Sequence, residues 1–327
     1  MKLKEALYYT QLEGKKVRCN LCPHGCIIDD KNIGICKARK NEGGKLYTLN
    51  YGKITSYAFD PIEKKPLYHF YPGSKIFSIG SFGCNLKCEF CQNWEIAHEK
   101  PVSIEIQDED LLSLAKANGS IGIAYTYNEP SIWYEYVLYI SKKVKNQGLK
   151  NVLVTNGYIQ KEPLEEILPY IDAMNIDLKS FDESYYNRLC KGKLSSVLDT
   201  IEISRKSTWV EITTLIIEGE NDSLDEIQKL SKWISEIDED IPLHLTRYHP
   251  AYKMFKPPTS YDILVKAKDI AREYLNYVYI GNVWGIDLNT YCPNCGSKIV
   301  DRDLPVEIIG INNGKCAKCG KNIEIIY

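Results

Sequence analysis

Between residues 75 and 285, short apolar runs rich in β-branched residues alternate with longer amphipathic segments. Strands are expected at KIFSIGSF (75–82), GIAYTY (122–127), NVLVTNG (151–157), MNIDLK (174–179), VEITTLII (210–217), PLHLTRY (242–248) and YVYIGNV (277–283). Helices are expected between them at 131–148, 162–171, 195–207, 223–237 and 260–275. Ser131 stands just before an apolar run, and Ser223 has Glu226 three residues on; both are helix-start signals, because such side chains satisfy the free amides of a first turn. Repeated strand–helix units imply an α/β fold with a parallel sheet and right-handed crossovers. Apolar strands covered by helices suit a full or a partial barrel, whose working residues sit at the C-terminal strand ends. The segment 45–61 alternates enough to be a strand pair. No apolar run approaches the ~20 residues of a membrane span. The first residues, MKLKEALYYTQLEG, carry charge where a signal peptide has an apolar core, so the protein is expected to be cytoplasmic.

Composition narrows the class. With 44% hydrophobic and 26% charged residues the chain is ordinary globular material, which excludes disorder, collagen-like repeats and coiled coil. The net charge of -2 excludes a general basic excess for nucleic acid. Twelve cysteines change the picture more. Disulfides are disfavoured in the cytosol, so clustered thiols there are read first as metal or redox sites. Cys19, Cys22, Cys26 and Cys36 form one group, Cys84, Cys88 and Cys91 a second, and Cys292, Cys295, Cys316 and Cys319 a third; Cys190 stands alone. Residues 1–56 hold 11 Lys and Arg against 5 Asp and Glu. That local excess either neutralises a negatively charged metal–thiolate group or offers a surface to an anionic partner.

Cys84-Asn-Leu-Lys-Cys88-Glu-Phe-Cys91 follows directly on the first expected barrel strand. Structural zinc normally takes four protein ligands. Three thiolates on one loop instead leave a cubane iron–sulfur cluster with one iron open to a small molecule. This spacing, with Phe90 before the last cysteine, resembles the radical S-adenosylmethionine (SAM) superfamily. Within it the chain resembles the glycyl-radical-enzyme (pyruvate formate-lyase) activating group, and most of all the radical SAM member of the AmmeMemoRadiSam system. The text that carries this is VRCNLCPHGC (17–26), DPIEKKPLYHFYPGS (60–74), GCNLKCEFCQNWEIA (83–97), AYTYNEP (124–130), VTNGY (154–158), MNIDLKS (174–180) and RYHPAYKM (247–254).

The resemblance implies a partial (β/α)6 TIM-like barrel over 71–288, with a Cys-rich module at 1–70 and a zinc ribbon at 289–327. It implies a 4Fe–4S cluster on Cys84, Cys88 and Cys91 that binds SAM through its amino and carboxylate groups. One electron would cleave SAM and release a 5′-deoxyadenosyl radical, which would take a hydrogen from substrate. Glu129 would accept from the SAM ammonium, although Tyr127 and Asn128 stand where the superfamily commonly has two glycines. Thr155 and Asn156 would contact SAM ribose or carboxylate. Activases often place Asp before this triplet; Val154 stands there and lacks the ligand a monovalent-cation site would need. Lys179 would meet the SAM carboxylate, with Asp177 on the same face of its strand, or the two form a structural ion pair. Arg247 and His249 are expected on one side of the sixth strand, toward SAM or a leaving group. Cys190 is either a buried small apolar residue or a hydrogen-atom donor near the radical.

The outer modules read as metal sites. Cys292-x2-Cys295-x20-Cys316-x2-Cys319 has zinc-ribbon spacing. The N-terminal group, with His24 as a spare ligand, matches neither common zinc fingers nor ferredoxin runs, and zinc and a second Fe–S cluster both remain open. The implied partners are an electron donor of the flavodoxin or ferredoxin class and a substrate that is a protein, an RNA or a small metabolite. The rival is an Fe–S or zinc scaffold without catalysis.

Overall fold

All seven expected apolar runs become strands of one sheet in the computed structural model, which describes residues 3–99, 101–303 and 305–327. The sheet contains β1 (Ser56–Pro61), β2 (Lys75–Gly80), β3 (Ser120–Tyr125), β4 (Lys150–Thr155), β5 (Ala173–Asp177), β6 (Trp209–Ile216), β7 (Leu243–Arg247) and β8 (Val278–Gly281). Its spatial order is the chain order, with β2 to β8 parallel and β1 antiparallel on the edge of β2. Parallel neighbours need long crossovers, and helices supply them: α1 (Asp108–Lys116), α2 (Tyr134–Asn146), α3 (Lys161–Ile167), α4 (Leu194–Arg205), α5 (Leu224–Ile237) and α6 (Tyr261–Ala271). The expected six β/α units are therefore joined by a seventh parallel strand, and among the described residues no pairing joins β8 back to β1. Residues on both faces of these strands are buried, as in β6, where seven of eight are (burial pattern BBBBBBiB). That explains near-continuous apolar runs in place of alternation.

Three local expectations are corrected. The segment 45–61 is not a strand pair. Lys45–Thr48 pairs with Arg39–Glu42 and Lys4–Glu5, whereas Ser56–Pro61 fills the open edge of β2. Helix α1 is additional; it buries only Leu111 and Ala115, too few apolar positions to show a period, and three acids in its first turn favour its N-terminus instead. Ser131 is not a side-chain cap: Glu129 accepts the Ser131 amide at 2.9 Å. Ser223 does cap α5, accepting the Glu226 amide at 3.2 Å.

The N-terminal strands seat on the barrel through one buried ion pair. Both terminal guanidinium nitrogens of Arg39 donate to the Glu135 carboxylate of α2, at 2.8 and 2.9 Å. The C-terminal segment has its own core of Cys292, Ile299, Val300, Cys316, Ile323 and Ile325. It joins the barrel where the Tyr71 amide donates to Ile326 and the Ile326 amide to His69. Beneath that joint, at the N-terminal end of the strands, buried Glu211 accepts the Tyr68 and His69 amides at 2.8 and 2.7 Å and pairs with His244 at 2.7 Å. The His69 ring bridges the Tyr279 hydroxyl and the Glu324 carbonyl, at 2.7 and 3.0 Å. Among the described residues no helix is long and apolar enough to cross a membrane.

Candidate active site

A cavity of about 260 Å³ opens at the C-terminal ends of the strands. It is lined by residues at or just beyond the end of every parallel strand: the cysteine loop after β2, Thr126 to Glu129 after β3, Val154 and Thr155 of β4, Asp177 of β5, Thr213 and Leu215 of β6, Thr246 of β7 and Asn282 after β8. Only a sheet curled around the space brings all seven ends to one cavity. Cys84, Cys88 and Cys91 form one wall.

The cysteine loop is held from all sides by backbone and amide contacts. Lys87 and Glu89 amides donate to the Cys190 and Leu189 carbonyls, and the Lys253 amide donates to Glu89. Asn85 donates to the Tyr158 carbonyl at 2.6 Å. Asn156 donates to Asn85 at 2.9 Å and approaches the Cys84 sulfur at 3.5 Å. Burial pushes the Cys84 thiol well above its ordinary range and Cys91 up to about 11. Cys88 moves the other way, because the Cys190 thiol lies within hydrogen-bonding reach of it.

The Tyr127-Asn128-Glu129 segment explains its own departure from a double glycine. Tyr127 adopts φ +70, the left-handed region that glycine enters at least cost. Its hydroxyl donates to Asp60 at 3.0 Å, and Lys65, itself paired with Asp60, lies 4.9 Å from its ring. Asn128 clamps the exit of β2, accepting the Ser81 amide at 2.8 Å and donating to the Gly83 carbonyl at 3.2 Å. Glu129 is buried and already accepts three hydrogen bonds, from the Ser131 amide, the Thr155 hydroxyl and the Asn156 amide. A carboxylate offers about four lone-pair sites, so a place for one further donor remains. Burial raises the Glu129 pKa.

Asp177 and Lys179 face the cavity 2.9 Å apart. Burial works against the Lys179 charge, yet Asp177 and the Cys88 sulfur hold its pKa well above the usual lysine value. The cavity thus carries thiols on one wall and a polarised ion pair on another. Three other expected residues lie elsewhere. Arg247 donates to the Thr259 carbonyl at 2.7 Å, while its neighbour Thr246 takes the cavity face. His249 is exposed and lines a second cleft of about 600 Å³, which shares Gln92 and Asn282 with the first. Cys190 is fully buried behind Cys88. Asn128, noted from sequence only as a departure from glycine, and Asn85, not singled out there, carry the loop geometry; for Asn85 the available signal was an amide beside a clustered cysteine.

The two outer cysteine groups differ in geometry. The sulfurs of Cys292, Cys295, Cys316 and Cys319 all lie within 4.8 Å of one another, with Cys292 to Cys319 at 3.6 Å and Cys295 to Cys316 at 3.7 Å. A tetrahedral ion with thiolates at ≈ 2.3 Å requires edges of about 3.8 Å, so this group can hold a single metal ion. Ser297 contacts Cys295 and Cys316, and this hydroxyl is the main cause that lowers the Cys316 thiol to about 6. Cys19, Cys22, Cys26 and Cys36 converge on one enclosed void, with Leu21, Ile28 and Ile132 among its other walls.

The profile described as the Radical SAM superfamily matches residues 78–234. An uncharacterized protein of Methanocaldococcus jannaschii is 42% identical over 335 residues, spanning 99% of this chain and 100% of the relative. A second protein of that organism, whose name assigns it provisionally to the glycyl-radical enzyme activating enzymes, is 32% identical over 211 residues, or 61% of this chain and 77% of the relative. Among solved structures, Streptococcus suis SuiB bound to S-adenosylmethionine superposes with a TM-score of 0.51 at 18% identity, covering 62% of this chain and 48% of that one.

Proposed function

Because this chain belongs to the radical SAM superfamily and is an enzyme of that class, we propose that it cleaves SAM reductively at the cavity and uses the product to modify a partner protein. The observation that carries this is the placement of three thiols and a Lys–Asp pair in the lining of one cavity at the C-terminal strand ends. The residues fit the implied group: three cysteines, with no fourth thiol among the described residues lining the cavity, and a carboxylate with one acceptor site left. When bound, a 4Fe–4S cluster and SAM supply one electron and a carbon-centred radical that takes a hydrogen atom. Lys179 would hold the SAM carboxylate with its charge fixed by Asp177. Glu129 would take the ammonium, oriented by its three existing donors. Asn156 would steady Cys84 and the adjacent end of SAM, and Thr155 would hold Glu129 in place. The apolar wall of Leu86, Phe90, Val154 and Leu215 would exclude water.

A protein substrate is favoured by the second cleft, where Trp284 is 99% exposed beside His249, Tyr68 and Arg302. A fully exposed aromatic in a cleft that adjoins the cavity would give such a partner an anchoring group. The name of the second M. jannaschii relative points the same way, toward a glycyl-radical enzyme as the partner. We assign 71–288 to the barrel, 289–327 to a zinc ribbon and 1–70 to the N-terminal module, with Ser56–Pro61 lent to the barrel sheet. A low-potential flavodoxin or ferredoxin would supply the electron, and a cytoplasmic location fits that need.

Anaerobic reconstitution with iron, sulfide, reductant and SAM tests the chemistry. Formation of 5′-deoxyadenosine that disappears in Cys88→Ala is expected; none in the wild-type protein refutes it. Incubation of the active protein with soluble extract should then raise a glycyl-radical signal on a large protein. Labelling of RNA or of small molecules alone, with SAM cleavage intact, would replace the protein substrate by one of those classes.

A further inference from the structure

We propose that Cys19, Cys22, Cys26 and Cys36 hold a second 4Fe–4S cluster, not zinc, and that this cluster is where electrons enter on the way to the Cys84–Cys88–Cys91 loop. The second half of the proposal rests on the radical SAM reading of that loop; the first half does not.

The chain contains its own ruler. Its C-terminal four sulfurs are packed to the spacing of a single tetrahedral ion. Among the described residues no other three thiols all come within 4.8 Å of one another, so every trio of the N-terminal four contains a pair spaced wider than that, although all four line one void. A cube with a thiolate on each iron corner spreads its ligands farther than one ion does. The three barrel cysteines, around their own cavity, likewise do not all lie within 4.8 Å of one another.

The surroundings suit a redox group. Cys19, Cys22 and Cys36 are buried among apolar side chains, which keep water away and so set the potential. Arg39, beside Cys19 and Cys36, has its charge paired with Glu135 but keeps a buried Nε–H without a partner, a donor that a cluster sulfur would satisfy.

The cage also touches the barrel loop at its ligands' neighbours. Gly83, immediately before Cys84, packs so tightly on Cys36 that an added Cβ would sit 2.5 Å from the Cys36 carbonyl oxygen. His24, between Cys22 and Cys26, contacts the Asn85 carbonyl at 2.8 Å, immediately after Cys84. The Gln160 amide donates to the Leu21 carbonyl, and the Tyr158 ring meets the His24 ring edge-on at 5.1 Å. Zinc has no redox chemistry and would gain nothing from this contact. The basic excess of residues 1–56, 11 Lys and Arg against 5 Asp and Glu, would favour an acidic one-electron carrier.

The step moves one electron and no atoms. A reduced carrier of the flavodoxin or ferredoxin class loses the electron. The N-terminal cluster is reduced and then reoxidised as it passes the electron on. The electron ends in the S–C5′ bond of SAM, which breaks into methionine and the 5′-deoxyadenosyl radical.

Metal analysis of the full chain, purified and reconstituted without oxygen, is the first test. About eight irons with matching sulfide and about one zinc per chain are expected. About four irons and two zincs would overturn the cluster, whether or not SAM is cleaved. In Cys22→Ser and in Cys36→Ser, about half the iron should be lost. The remaining cluster signal should still respond to SAM, dithionite should still reduce it, and the fast phase of reduction by the carrier should vanish. Reduction by the carrier at the wild-type rate would overturn the relay. Wild-type protein gives a readout that needs no substitution: two neighbouring reduced clusters should broaden each other's EPR signals, and two independent signals would refute the contact. A full complement of iron whose spectra ignore SAM would sink the proposed function and leave the second cluster standing.

Discussion

Glu135→Gln removes one charge from the buried pair that seats the N-terminal module, and its cost can be worked from the geometry. Arg39 and Glu135 are 1% and 2% exposed at the side chain and joined by two parallel hydrogen bonds. Arg39 cannot shed its proton, so the substitution leaves an uncompensated cation in an apolar seat. Breaking a buried pair in this way costs about 3–5 kcal/mol. An unfolding entropy of about 2.1 cal/mol/K per residue makes each kcal/mol worth about 1.5 °C in a chain of 327 residues, so the melting temperature should fall by about 4–7 °C. The carboxamide introduced by the substitution keeps one carbonyl oxygen to accept the Leu7 amide, which Glu135 takes at 2.8 Å, so the loss reports the charge and not that contact. Adding Arg39→Met should recover most of the stability, because no buried charge is then left alone. Anaerobic thermal melts of the metal-free and loaded protein make the measurement. The single variant should suffer less when the N-terminal site is loaded, since the metal–thiolate group supplies negative charge beside Arg39. A fall below about 2 °C in the single variant, or a double variant as damaged as the single, refutes the reasoning.

Lys179→Met should retain iron but weaken SAM binding about 10- to 150-fold, the worth of a charge-assisted contact of 1.5–3 kcal/mol; titration of the SAM-induced change in the cluster spectrum checks it, and unchanged affinity would make Asp177 and Lys179 a structural pair only. Cys190→Ala should keep the rate of SAM cleavage within about twofold, because the loop is pinned by the Cys190 carbonyl and not by its thiol; loss of turnover with full iron loading would place the thiol in the chemistry. Burial depresses His69 from an ordinary value near 6.5 to about 4. The folded pKa lies below the unfolded one, so the unfolded chain binds the extra proton in that window. Stability is full above pH 6.5 and should fall by up to about 3 kcal/mol as pH drops toward 4. His69→Gln should flatten that part of the pH–stability curve, and an unchanged slope counts against the assignment. A strong chelator should release zinc and open residues 289–327 to proteolysis while the eight-stranded sheet persists; a protected ribbon after zinc loss would contradict the single-ion site.

The barrel strands were legible because each is buried on both faces, which writes a short apolar run into the chain whatever its neighbours are. Helix α1 left little trace, because two buried residues make no period. The antiparallel strand Ser56–Pro61 left a misleading one: alternation shows that a strand exists, but its partner is chosen by whichever edge is open, and that was β2. Arg247 was misplaced for a related reason. Its position at a strand end was readable, while the side it faces depends on where the strand stops and on the Thr259 carbonyl that captures it.

Cysteine spacing by itself determined three clusters of thiols, one of four, one of three and one of four, because residues a few positions apart must share a turn; that the last four close to the spacing of a single ion was added by the structure. The strand–helix rhythm likewise determined a parallel sheet with helical crossovers, while its sequential order was decided by the structure. Which side chains share a cavity, how far apart four sulfurs stand, and that the Cys36 carbonyl rests on Gly83 were decided only by tertiary structure. Those are distances between residues far apart in the chain, set by packing of whole elements against one another, and no local pattern encodes them.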